Sequence, residues 1–175
     1  MKYFLWFFIL FVSCKHTSKH KIFRQDFTDN EKNILNVSRN IIEKSYFATF
    51  ISINSNRFAK ARTIEPISPY NEFIIYFATK PNTRKVEEIT KNPKATIHYF
   101  DKSQLGYVSM YGKAIVLRNN NLIKKHWNTA WNKYYPDNKF VLIKFIPYFL
   151  EMVSIQKKLT GNPKNWLPEK VILRK

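Results

Sequence analysis

Glycine is scarce in this chain: Gly106, Gly112 and Gly161 are the only three in 175 residues, and each stands alone. Neither a GxGxxG dinucleotide loop nor a GxxxxGK phosphate loop can be written, because both need clustered glycines for close backbone approach to phosphate. Cysteine occurs once, as Cys14. That excludes an intrachain disulfide and any cysteine-rich zinc site. Acidic residues are also few, 12 against 30 lysines and arginines, so the formal net charge is +18. Such a balance invites a nucleic-acid or anionic-membrane partner. The cations are spread over both termini, strands and helices instead of forming one stripe, so nucleic acid is not expected as a partner.

A long apolar run is missing too. The stretch Tyr3–Val12 follows Lys2 and ends at Ser13-Cys14, about half of the ~20 residues that cross a bilayer core. It reads as the apolar region of an export signal over residues 1–13, outside the fold. Phe11-Val12-Ser13-Cys14 resembles a bacterial lipobox, which makes Cys14 the expected lipidation site; an ordinary secretory signal cut nearby is the alternative. Residues 14–27 then form a basic tether, whose Lys15, Lys19, Lys21 and Arg24 can rest on anionic headgroups. The expected location is the cell envelope, with the membrane met through a lipid anchor.

Hydrophobic residues make up 45% and aromatics 17%, enough for one domain with a real core. Thr28-Asp29-Asn30-Glu31 is a capping box that opens a helix to about Lys44, with an apolar stripe at Ile34, Leu35, Val37, Ile41 and Ile42. Seven strand-like runs follow: Tyr46–Ile53, Phe58–Ile64, Phe73–Thr79, Ala95–Phe100, Tyr107–Leu117, Phe140–Ile146 and Leu150–Ile155. Turns are expected at Asn54-Ser55-Asn56 and Ser68-Pro69-Tyr70-Asn71. Helices interrupt the strands from Thr83 to about Asn92, stopped by Pro93, and from about Asn119 to Tyr135, stopped by Pro136. The fold class is therefore α+β: a mostly antiparallel split β-barrel of six to seven strands with flanking helices, over residues 28–156. Residues 157–175 form a basic C-terminal tail packed as extended chain.

The chemistry gathers at Thr83-Arg84-Lys85. Thr83 is placed to cap a helix whose first turn presents free N–H groups and a positive dipole end, flanked by two cations. A phosphate there can take backbone bonds, a Thr83 hydroxyl bond, a bidentate Arg84 contact and a charge contact from Lys85. The alternative is that Arg84 and Lys85 pair with Glu87 and Glu88 on a solvated helix face. Arg62, alternating with Lys60 and Ile64 on one strand face, either snorkels outward or converges with Arg84 on the same ligand. His98 and His126 lack a second ligand at metal spacing and read as structural; no metal is expected.

Ala61–Ile64, Phe73–Val86, Asn92–Ile97 and Tyr107–Ala114, in that order, resemble the pyridoxamine 5′-phosphate oxidase-like FMN-binding split barrels, most of all their general stress protein branch. The resemblance runs from about Glu31 to Ser154. It implies that Arg62, Thr83, Arg84 and Lys85 hold the phosphate of FMN, that Ala78, Thr79 and the strand with Tyr107 lie along the flavin, and that two copies form a homodimer with flavin at their interface. The oxidases' glutamine near Tyr107, their aromatic after the late-strand glutamate (here Glu151-Met152-Val153) and their C-terminal substrate-binding arginine segment are missing. The expectation is thus an FMN-dependent oxidoreductase acting on a small electron acceptor, with no catalytic side chain identified, or a non-catalytic flavin- or phosphate-ligand-binding envelope or stress protein.

Overall fold

The computed structural model describes residues 22–67, 72–135 and 139–174. The export signal, Cys14 and the Ser68–Asn71 turn lie outside them. Helix α1 (Asp29–Lys44) starts as its capping box requires: the Thr28 hydroxyl accepts from Glu31 N–H, and the Glu31 carboxylate accepts from Thr28 N–H at 3.0 Å. Its stripe of Ile34, Leu35, Ile41 and Ile42 is buried against the sheet. Seven strands follow: β1 (Ala48–Ile53), β2 (Ala59–Ile64), β3 (Ile75–Thr79), β4 (Lys94–Asp101), β5 (Gly106–Leu117), β6 (Val141–Ser154) and β7 (Glu169–Ile172). Helices α2 (Arg84–Lys91) and α3 (Asn120–Lys125) fall between them.

All the pairings are antiparallel, in the order β2-β1-β4-β5-β6-β3, with β7 also on β6. The sheet curls without closing. Its edge strands β2 and β3 face each other across a gap, bridged at one end where Ile67 N–H donates to the Tyr76 carbonyl at 2.8 Å. This is the expected split barrel. Phe50, Phe77, Ile97, Met110, Phe145 and Met152 fill its interior. A second cluster, around Trp131, Tyr76, Ile123 and Leu142, packs outside β3 and β6.

Four expected boundaries differ. The runs Phe140–Ile146 and Leu150–Ile155 form one strand, β6, because Pro147 sits opposite Gly112 at a β-bulge that skips Tyr148 and so needs no proline N–H in the ladder. The long third helix ends at Lys125, and Thr129–Tyr134 continues as a 3-10 turn capped by Asn128. The basic tail, expected as extended chain, supplies β7 and seats Val171, Leu173 and Arg174 in buried positions. Residues 23–27 of the expected tether dock as well: Phe23 bridges Arg174, and the Arg24 guanidinium forks onto Glu31 at 2.9 and 3.2 Å.

A Cβ on Gly112 would lie 2.1 Å from the Ile146 carbonyl oxygen. Gly112→Ala is expected to cost about 2 kcal/mol through forced displacement of the bulge, read as a lowered urea midpoint with unchanged slope.

Candidate functional site

The gap between β2 and β3 holds a cavity of about 240 Å³. Thr63 and Ile64 come to it from β2, Ala78 from β3 and Lys85 from the first turn of α2; Phe47, Trp131, Tyr134 and Tyr135 add aromatic walls. The position follows from the topology, since edge strands are the only ones whose backbone is not used twice.

Lys85 is half-buried. Its Nζ donates to Thr79 Oγ1 at 2.9 Å, Thr79 Oγ1 lies 3.3 Å from Thr83 Oγ1, and Thr83 donates to the Lys80 carbonyl at 3.2 Å. The hydroxyl directions follow: with the Thr83 proton on Lys80, Thr79 must donate to Thr83 and accept from Lys85. Thr83 stands at the helix N-cap, but its hydroxyl makes no capping bond. The first turn of α2 therefore keeps its positive end uncapped by any side chain. Burial holds the Lys85 ammonium pKa below its ordinary value; the Arg62 guanidinium pushes the same way and Glu88 opposes.

Arg62 reaches inward from β2. Its Nη1 donates to Ser52 Oγ at 2.6 Å and its Nη2 to Glu88 Oε2 at 2.8 Å, while Ser52 donates to the same carboxylate oxygen at 2.5 Å. Ser52 and Glu88 were not evident as site residues from sequence; the only hint is a serine at an inward, buried position of β1. This triad fixes α2, and hence Lys85, against the barrel. Three N–H donors of Arg62 remain beyond those two bonds.

Arg84 does not join Lys85. It is exposed and opens on a different cleft, of about 390 Å³, on the far side of α2 with Arg57 and Lys60. Among the described residues it has no hydrogen-bond or ion-pair partner. Glu87 pairs with Lys91 at 2.7 Å, so neither glutamate pairs with Arg84 or Lys85 as the solvated-face alternative required. Tyr107 lines neither cavity. It lies on the half-buried face of β5, its ring 5.5 Å from that of His98, which accepts from or donates to Ser109 Oγ at 2.8 Å. Glu151, Tyr111 and Phe149 continue that face across β5 and β6. The expected site thus divides: Arg62, Ala78, Thr79, Thr83 and Lys85 come together, Arg84 sits round the helix, and Tyr107 is on another surface.

Residues 40–147 match the family model described as pyridoxamine 5′-phosphate oxidase like. The chain belongs to this family. The match begins in α1 and ends at the β6 proline, so it spans β1 to β5, the first half of β6 and both cavities flanking α2. No curated protein matches the sequence. Among solved structures, a Clostridium acetobutylicum protein related to general stress protein 26 of Bacillus subtilis superposes with a TM-score of 0.66 at 15% identity, over 82% of this chain and 95% of that one. General stress protein 26 of Bacillus anthracis gives 0.62 at 19%, over 81% and 99%. A pyridoxamine 5′-phosphate oxidase-related, FMN-binding protein of Nostoc punctiforme gives 0.57 at 11%, over 85% and 98%. At these identities the likeness is one of fold.

Proposed function

We propose that this chain binds FMN in the gap between β2 and β3 and serves as a flavin-dependent oxidoreductase for a small electron acceptor. The observation that carries the reading is the half-buried Lys85 ammonium beside an uncapped helix start, opening into an aromatic-walled cavity. A buried cation without a carboxylate at hydrogen-bond distance is costly alone and is offset by an anion. The donor set suits a phosphate: Lys85, the remaining Arg62 protons and the first-turn N–H groups. The aromatic walls suit a flat ring. When bound, the flavin supplies the hydride or electron chemistry, and the protein supplies orientation and electrostatics. Thr79 holds Lys85 in place, and the Arg62–Ser52–Glu88 triad holds the helix that carries it. The face with Tyr107, Tyr111 and Phe149 is the surface on which a second copy completes the site, as a homodimer.

A second reading is binding without turnover, in which the same cavity holds flavin and no acceptor is reduced. The two readings separate in one experiment. The purified full chain, equilibrated with FMN and desalted, is expected to keep visible flavin absorbance, and NAD(P)H with common acceptors then reports turnover. Retained flavin with no NAD(P)H oxidation selects the binding-only reading. Absence of retained flavin at saturating FMN overturns both.

A further inference from the structure

One end of the sheet carries a patch that the flavin site does not use. The β4–β5 turn and the β6–β7 connection meet there: Ile155 N–H donates to the Leu105 carbonyl and Gln156 N–H to that of Gln104. The connection folds back on itself through paired Ser154–Leu159 bonds and through Asn162 N–H and the Leu167 carbonyl, at 2.9 Å. Four large apolar side chains project from the two segments: from the connection Trp166 is 86% exposed, Leu167 61% and Ile155 57%, and from the β4–β5 turn Leu105 48%. Trp166 has φ +57, a left-handed conformation rare for a bulky residue. It is held outward instead of folding onto the core.

The segments that carry these side chains are basic. Lys102, Lys157, Lys158 and Lys164 are all exposed, and segments 102–105 and 155–167 contain no acidic residue. Exposed tryptophan and leucine on lysine-rich segments is the composition of a surface that sits at the boundary of headgroups and acyl chains. A protein partner would instead be met by a patch poor in lysine.

We propose that this end of the barrel docks on an anionic phospholipid surface, with Trp166 and Leu167 entering the interface and the four lysines meeting the headgroups. The inference is independent of what occupies the β2–β3 gap. The first described residue, Ile22, lies at the other end of β7, beside Arg174. Eight residue steps separate it from Cys14, an extended reach of about 27 Å, comparable with the eight steps from Trp166 to Arg174. A membrane-held N-terminus therefore leaves the patch free to reach the same surface.

The test uses the full chain carrying Trp6→Phe, with Trp166 emission taken as the difference from the same chain carrying Trp166→Phe as well. On phosphatidylglycerol vesicles, Trp166 emission is expected to shift to the blue and to be quenched by brominated acyl chains, and on phosphatidylcholine to a much smaller extent. Each lysine near the surface is worth about five-fold in partitioning, so Lys157→Gln with Lys158→Gln should lower the Trp166 insertion equilibrium about 25-fold. Both are exposed positions, and an unchanged thermal melt confirms folding. Unshifted Trp166 emission on vesicle-bound protein, or equal insertion into both lipids, overturns the proposal. So does a blue shift in buffer that grows with protein concentration, which would assign the patch to a second copy of the chain.

Discussion

Glu88→Ala is expected to lower the stability of the protein by about 3 kcal/mol, the cost of leaving one member of a buried ion pair without its partner. Only 9% of the Glu88 side chain and 21% of the Arg62 side chain are exposed, and one oxygen of Glu88 receives both Arg62 and Ser52. Removing it leaves a guanidinium in a low-dielectric setting with one neutral hydroxyl. For a chain of this size the melting temperature should fall by about 10 °C. Glu88→Gln keeps the shape and an acceptor while removing the charge, and should lose about half as much. Equal melting of Glu88→Ala and the parent chain would show that the triad contributes nothing to holding α2. The double change Arg62→Met with Glu88→Leu removes both charges together and is expected to recover most of the loss, because the pair's desolvation cost disappears with it.

Lys85→Met should behave in the opposite way. The ammonium is half-buried and bonded to a single hydroxyl, so its removal relieves desolvation and should leave the melt unchanged or slightly raised. FMN affinity, however, should fall about 50-fold, the value of one charge-assisted contact to phosphate. The pH dependence carries the same signature. Without ligand, burial and Arg62 keep the Lys85 pKa below its ordinary value; a bound phosphate raises it again. The complex therefore holds more proton than the free protein. Affinity should be full below the free-protein pKa of Lys85 and fall as pH rises through it, levelling above the pKa in the complex. Titrations followed by flavin fluorescence should show this slope in the parent chain and none in Lys85→Met. A variant that binds FMN as tightly as the parent would remove Lys85 from the site.

Much of the barrel was legible because local signals and tertiary packing agree. Thr28 and Glu31 form the box that their spacing dictates, and β1 to β5 follow runs of β-branched and aromatic residues. Where the reading departed, a non-local partner decided. Pro147 looks like a strand breaker until Gly112 opposes it at a bulge. Val171 and Leu173 alternate with Lys170 and Ile172 over too few residues, among too many turn formers, to announce β7, yet β6 offers them a free edge. In the site, Thr79, Thr83 and Lys85 lie within seven positions and their meeting was readable. The engagement of Arg62 by Glu88 was not, since 26 positions separate them and the contact depends on how α2 rolls against β1 and β2. The same roll turns Arg84 away from Lys85, because consecutive helical positions point about 100° apart.

The open seam between β2 and β3 also sets an order of assembly. Strands β1 with β2 and β4 with β5 are joined by short turns, whereas β3 finds its only strand partner among the described residues in β6, with Thr79 opposite Val141 and Ile75 opposite Phe145. That closure spans more than sixty residues and comes late, since its loop entropy is offset only after the hairpins have formed. β3, the strand placed by that closure, carries Ala78 and Thr79. A ligand lodged in the seam binds the closed form alone, and so acts as a latch on the last element to arrive.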